Sequence, residues 1–218
     1  MRDAKQNTPV HIYGEKMSNF VRTVMIVCEY KSIPFTYGFS IKDKAVAFKS
    51  EQHMELHPYG KIPVLLDQDF YLAETSSICR YLDNNFAGPK VQFEQAKQAA
   101  YHDAFCAIAS TYIDKAFIRE FLLEFAFPKG ENGTVRMDVV KAGIPNVHNA
   151  LSVIEKELVS DNQVINGERL SIADALLVPM LHYINTVTRD FKLLEVHPEI
   201  EAYLVNLMRF DCCKKVLL

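Results

Sequence analysis

A chain of 218 residues with 49% apolar and 23% charged side chains has the composition of a globular protein large enough for two small domains. Its formal net charge of −3 gives no reason to expect nucleic acid, whose binders carry a basic stripe, and no segment reaches the roughly 18 unbroken apolar residues of a membrane span. Five cysteines (Cys28, Cys79, Cys106, Cys212 and Cys213) show neither Cys-x-x-Cys nor metal-ligand spacing. Three of them lie among apolar residues and are expected to be buried and reduced, and the Cys212-Cys213 pair to be inert tail. The polar start MRDAKQNTP has no leader pattern, so the expected compartment is the cytoplasm, where Asn132-Gly133-Thr134 is a turn and not a glycosylation acceptor.

Pro9–Tyr13 reads as a short strand ended by Gly14, and a polar loop follows to Ser18. Val21, Val24, Met25 and Cys28 then recur at helical spacing, predicting an amphipathic helix that stops near Lys31. Ile33–Tyr37 is the next strand, and residues 44–56 read as polar and weakly helical. Ile62–Leu66 and Phe70–Leu72 are two apolar runs turned by Asp67-Gln68, the pattern of a hairpin. Pro63 opens the first run, where a missing N–H is tolerated. Thr75 or Ser76 can cap the following helix to Phe86, which carries Ile78, Tyr81 and Leu82 on one face. The order is strand–helix–strand–helix–strand–strand–helix. Two strands joined through a helix imply a parallel pair with a right-handed crossover, to which the hairpin adds antiparallel strands. This is a thioredoxin-like layout over residues 1–86.

Ala87-Gly88-Pro89-Lys90 is a linker. From residue 91 to 218 strand signals vanish, which predicts an all-helical second domain. Residues 92–127 read as one long helical region, 128–133 as a loop and 135–158 as a second helix that Gly143 and Pro145 kink or interrupt. Ser171 with Asp174 three residues on is a capping box ahead of a buried helix. A last helix covers 199–208, followed by a short tail.

Two features point to a ligand. Glu74 sets a carboxylate beside the N–H groups of Thr75 and Ser76 at a helix start, an arrangement that suits the amine and the carboxylate of an α-amino acid head group. Ser18 stands where the first strand hands over to the first helix, so its hydroxyl can donate to an anion at the positive helix end.

His57-Pro58-Tyr59-Gly60-Lys61-Ile62-Pro63-Val64-Leu65, followed by Glu74-Thr75-Ser76-Ser77-Ile78, resembles the N-P-x-G-K-V-P-x-L and E-S-x-A-I signature of the cytosolic glutathione transferases. Ser18-Asn19-Phe20-Val21-Arg22-Thr23-Val24 looks like the S-P-F-x-R-x-V run of their serine-type members, with Asn19 where the family usually has proline. Gly167, Ser171, Ala173 and Asp174 are similar to the G-x-x-x-S-x-A-D segment of the family's helical domain. The resemblance implies a cytoplasmic homodimer that uses glutathione as co-substrate, without metal, and conjugates it to a small apolar electrophile, the chemistry of detoxification.

On this resemblance Ser18 stabilises the glutathione thiolate. A free thiol titrates near about 8.5 and the thiolate is the nucleophile; lowering that value by about two units takes ~2.7 kcal/mol of preferential stabilisation. Ile62, ahead of a Pro63 expected to be cis, offers its backbone to the cysteinyl unit. Glu74 and Thr75 hold the amino-acid head, and Lys49 and Lys61 the glycine carboxylate, although Phe48 stands where some relatives have histidine. Asp103 is a candidate for the amine of a partner subunit's glutathione, and Arg22 for a tether between domains or helix ends. Phe105, Ile108 and Tyr112, with the aromatic cluster Phe117, Phe121, Phe125 and Phe127, are candidate walls of a second-substrate pocket between the first loop and the long helix. A helical aromatic stripe is more often plain core. Tyr13 rivals Ser18, because tyrosine-type members carry their hydroxyl at the end of the first strand. The alternatives are a glutathione-dependent isomerase or dehalogenase, and a non-catalytic interaction protein on the same fold.

Overall fold

The computed structural model describes residues 9–218, so the expectation drawn from the polar start falls on residues 1–8, outside the described part. Two compact units divide the chain, one running to Gln92 and taking in Phe210–Leu218, the other Phe93–Arg209. Among the described residues no helix is long and apolar enough to cross a membrane, and no group of three or more His, Cys, Asp or Glu side chains could hold a metal ion.

The first unit is built on a sheet of β1 (Val10–Tyr13), β2 (Phe35–Gly38), β5 (Val64–Asp67) and β6 (Phe70–Ala73), in the order β2-β1-β5-β6. The two most buried strands, β1 and β5, lie at its centre, and β2 and β6 form its edges. β1 and β2 are parallel, joined through α1 (Asn19–Lys31), and the remaining pairs are antiparallel. Ser18 caps α1, and Ser32, in the left-handed region, closes it with bonds to Cys28 O and Glu29 O.

Residues 44–56 are less helical than the sequence suggested. A small hairpin of β3 (Ser40–Ile41) and β4 (Lys44–Ala45) occupies the start, and α2 begins only at Glu51 and runs to Leu56 under a Ser50 cap. Lys42 and Asp43 both take positive φ at its tip, and an ion pair of Lys42 with Asp69 (2.6 Å) holds it. Asp43 favours such a turn but Lys42 does not, and the pair lacks the glycine that marks a two-residue hairpin, so the turn signal is weak. The β5–β6 turn is also one residue later than expected, since Asp67 pairs with Phe70 and Gln68-Asp69 form the loop.

α3 (Thr75–Asn85) completes the unit together with a helix absent from the sequence reading, α9 (Asp211–Leu217). α9 packs on α1, where Lys215 reaches Glu29 (3.0 Å) and Phe210 meets Tyr30 edge-on at 5.9 Å. Cys212 and Cys213 are therefore buried packing residues and not tail. All five cysteines are buried thiols, and none is in a disulfide.

The second unit is helical. α4 (Ala96–Ile108) continues into two wider π-helical stretches, Ala109–Ile113 and Lys115–Leu122, and then α5 (Leu123–Ala126), so the single long helix expected over 92–127 is one path with a changing turn width. Glu124 closes the next loop by accepting from Lys129 N, Arg136 N and the Arg136 guanidinium, and these bonds hold its carboxyl down to about 2. α6 (Met137–Leu158) runs through Gly143 and Pro145 unbroken. A Cβ at Gly143 would stand 3.1 Å from Glu120 O, so the glycine permits close approach of two helices, while Pro145 lies on the exposed face, where its lost bond costs least. α7 (Ile172–Val187) is apolar all round and buried, and α8 (Pro198–Leu207) follows.

The capping box of α7 forms as its spacing predicts. Asp174 N–H donates to Ser171 Oγ (3.1 Å) and Ser171 N–H to Asp174 Oδ2 (2.8 Å), while the Tyr203 hydroxyl of α8 donates to Asp174 Oδ1. Burial pushes the Asp174 carboxyl up to about 6 against the pull of these bonds. We expect Asp174→Ala to lose about 2 kcal/mol, through the cap and the missing Tyr203 acceptor, with ligand affinity at the first unit unchanged. A raised carboxyl contributes stability below its unfolded value of about 4 and loses it as pH rises through the folded one. Against Asp174→Asn, wild-type stability should therefore fall between pH 4 and 6. Calorimetric melting of the three proteins checks both points.

Candidate functional site

The sheet register gathers the expected residues at one end. Tyr13 pairs with Gly38 on one side and Val64 on the other, and Val64 pairs with Ala73. The last residue of β1, the first of β5 and the last of β6 thus stand in one row. Just beyond that row come Gly14 and the loop to Ser18, the cis Ile62–Pro63 bond, and Glu74 with Thr75. Gly14 (φ 155) is required there, because a Cβ would fall 2.6 Å from Val21 Cγ2 and 3.3 Å from Ile62 Cβ.

Ser18 is half-buried, and its Oγ accepts from Val21 N at 3.4 Å. That contact uses only a lone pair. The hydroxyl proton remains available to a second partner, so capping and anion binding are compatible. Arg22 pins the loop by donating from Nε to Lys16 O (2.9 Å), which gives it a local role at the helix start. Tyr13 is placed differently. It is completely buried, its hydroxyl donates to Val46 O (3.1 Å), and burial raises its pKa.

Glu74 and Thr75 meet the helix start in an altered arrangement. The residue at the N-cap of α3 is Glu74, with φ 69 and ψ 111, and Thr75 is the first helical residue, so neither Thr75 nor Ser76 is the cap. A left-handed backbone at a non-glycine residue stores strain, which clusters at binding sites. The Glu74 side chain is 78% exposed and points its Oε1 to within 3.6 Å of His57 Nε2, whose ring is buried. His57 in turn accepts from Tyr59 N (3.2 Å). Among the described residues no Lys or Arg ion pair holds this carboxylate, and the His57 ring is its neighbour.

Lys49 and Lys61 are both exposed, on separate loops. Lys49 stands ahead of α2 and not within a helix, with φ 63, and its ammonium lies 5.5 Å from the Phe48 ring centroid. The two loops are linked by a residue the sequence reading passed over. The buried His53 ring accepts from Lys49 N (2.9 Å) and contacts Lys61 O (2.9 Å).

Two family profiles match this chain. "Glutathione S-transferase, N-terminal domain" covers residues 12–90 and "Glutathione S-transferase, C-terminal domain" residues 137–205, together more than half of the sequence. The chain belongs to the glutathione S-transferase family. Among its relatives, glutathione S-transferase theta-3 of Mus musculus is 25% identical over 89% of this chain and 80% of its own length. Glutathione S-transferase 1 of Zea mays is 24% identical over 95% of both chains. Among solved structures, glutathione S-transferase I from maize in complex with an atrazine glutathione conjugate superposes with a TM-score of 0.77 at 23% identity, over 96% of this chain and 97% of that one.

Against the glutathione transferase signature this member carries His57 for asparagine, Asn19 for proline and Phe48 for histidine. Asn19 is buried, as a helix-start proline would be, and Phe48 stacks on Phe39 and His53 at 5.7 and 5.4 Å. The expected second-substrate residues lie in the helical unit and do not share one environment there. Phe105 is core, whereas Ile108 and the 69% exposed Tyr112 border a cavity of about 310 Å³ that Val153 and Asn149 of α6 close on the other side. A 3.6-residue pattern assigns faces wrongly where the helix widens, as it does after Ile108. Phe117 and Phe121 are buried, and Phe121 and Phe125 form an aromatic cluster with Phe191. The aromatic stripe divides: Phe105, Phe117 and Phe121 are core, Phe125 is half-buried, and Tyr112 and Phe127 are exposed. Asp103 is exposed on α4.

Proposed function

We propose that the protein is a glutathione transferase that binds glutathione at the sheet end of its first unit, polarises the thiol with Ser18, and adds the sulfur to small apolar electrophiles. The observation that carries this reading is the single row formed by the ends of β1, β5 and β6, beyond which stand Ser18, Ile62 and Glu74. A γ-glutamyl head presents an ammonium and a carboxylate together. Glu74 takes the first and the Thr75 and Ser76 N–H groups at the start of α3 the second. Ile62 pairs its backbone with the cysteinyl unit, as an added strand would. Lys49 and Lys61 take the glycine carboxylate.

With the tripeptide so held, the sulfur sits over the start of α1. The thiol proton passes to solvent water, the Ser18 hydroxyl donates a hydrogen bond to the resulting thiolate, and the helix end adds its positive field. The thiolate then attacks the electrophilic carbon and forms the C–S bond; in a substitution the leaving group departs with its bonding pair, and in an addition the adjacent carbanion takes a proton from solvent. The conjugate held by the maize relative supports this chemistry, as do the transferase names of the other relatives. Family membership supports a cytoplasmic, homodimeric, detoxifying role as part of this reading. Retention on immobilised glutathione, followed by turnover against a panel of electrophiles, tests the assignment, and a chain that is not retained sinks it.

Glu74 gives a sharper test. Removing the carboxylate leaves an ammonium without its partner, so Glu74→Ala is expected to weaken glutathione binding by about tenfold or more while the melting temperature holds. Unchanged affinity by calorimetry removes Glu74 from the site.

A further inference from the structure

We propose that His53 is a positioning residue that sets the carboxylate-binding end of this site by joining the backbones of Lys49 and Lys61. The inference rests on the assignment of the first unit as the glutathione site. The His53 ring has no exposed surface and lies against Tyr13 and Phe48, with centroids at 4.7 and 5.4 Å. Its Nδ1 accepts the Lys49 N–H at 2.9 Å, so the ring proton sits on Nε2 and is donated to Lys61 O, also at 2.9 Å. The neutral ring with this one tautomer satisfies both bonds.

Lys49 and Lys61 need such a device. Neither is in a helix or strand, and both side chains are exposed. Lys49 holds φ 63, a left-handed backbone that is unfavourable for a non-glycine residue. A bond to its own N–H from a rigid, buried ring opposes the return to ordinary backbone geometry. The same ring fixes the carbonyl of the residue before Ile62. Lys49 Cγ lies 3.4 Å from where a Gly60 Cβ would stand, so its stem crosses the loop that carries Lys61. His53 thus holds the backbones of two lysines from separate loops against one ring, which on this proposal lets both serve one carboxylate.

A fold-only role and a positioning role differ in which ligand notices the change. His53→Phe keeps a ring against Tyr13 and removes both bonds. Calorimetry on the full chain compares glutathione with γ-glutamylcysteine, which lacks the glycine. Glutathione should bind about tenfold more weakly, the dipeptide should change by less than about twofold, and kcat at saturating glutathione should stay level. Equal weakening of both ligands, or of neither, overturns the proposal. If the variant does not fold, hydrogen exchange at the Lys49 amide of the wild-type protein decides. Glutathione should slow it more than the dipeptide does, and equal slowing overturns the proposal. A wild-type protein that binds neither ligand overturns the glutathione-site assignment itself, a result distinct from lost discrimination in the variant.

Discussion

Ser18→Ala is expected to raise the thiol pKa of bound glutathione by about one unit or more, and to cut turnover at neutral pH by about tenfold or more, since one unit corresponds to about 1.36 kcal/mol of anion stabilisation. The hydroxyl is half-buried at the start of α1, and its contact with Val21 N uses an acceptor lone pair and leaves the proton to donate. Affinity for glutathione should change far less, because on the proposed reading other groups hold the tripeptide at both ends. Tyr13→Phe is the matched control. Its hydroxyl is already committed to Val46 O inside the cluster of Tyr13, Val46, Val64 and Leu66, so its loss should cost about 1 kcal/mol of stability and leave the thiol titration alone. Thiolate absorbance of the binary complex against pH reads both variants. A titration that moves with Tyr13→Phe and stays put with Ser18→Ala would reverse the assignment and leave Ser18 a cap.

The largest stability effect is expected at Asp83. Lys31 Nζ lies 2.9 Å from Asp83 Oδ1 with neither side chain exposed, and Lys31 also donates to Pro89 O (3.0 Å). Asp83 accepts further from Val91 N (3.2 Å) and Gln92 Nε2 (3.0 Å), so one carboxylate ties α1, the end of α3 and the chain beyond it. Gly88 (φ 108) lets that chain pass, since a Cβ would stand 2.8 Å from Lys31 O. Asp83→Ala leaves a buried ammonium without its counter-ion, which costs about 3–5 kcal/mol and should lower the melting temperature by about 10 °C or more. Asp83→Leu combined with Lys31→Met should recover much of the loss, because no charge is then left buried. Burial alone would raise the Asp83 carboxyl, but the bonds from Lys31 and Gln92 outweigh it and hold it below the usual range. Its contribution is therefore present above about pH 4 and lost as pH falls further, the opposite sense to Asp174. A single variant that melts with the wild type would show that the pair contributes nothing.

The sequence by itself determined the elements whose signals are local. Capping by Ser18 and the Ser171–Asp174 box depend on side chains within one turn of the backbone they serve, and both are found as their spacing predicts. The apolar runs of β1, β5 and β6 mark strands but not their places, since β6 is as apolar as the two central strands and lies at an edge; the motif from His57 to Ile78 was specific enough to name the family. Tertiary structure decided the rest, for reasons that a linear pattern does not carry. Residues 211–217 form a helix because α1 offers an apolar face on which Cys212, Cys213 and Val216 are buried, and a seven-residue segment is too short to be stable as an isolated helix. The β3–β4 hairpin turns through two ordinary residues held left-handed by pairing and by Lys42–Asp69. His53 carries no signal of its own in the sequence and His57 only its place in the motif; packing buries both, one between Lys49 and Lys61 and the other beside Glu74. Tyr13 and Ser18 were rivals on sequence alone, and only the fold spends the tyrosine hydroxyl on Val46 and leaves the serine proton to donate.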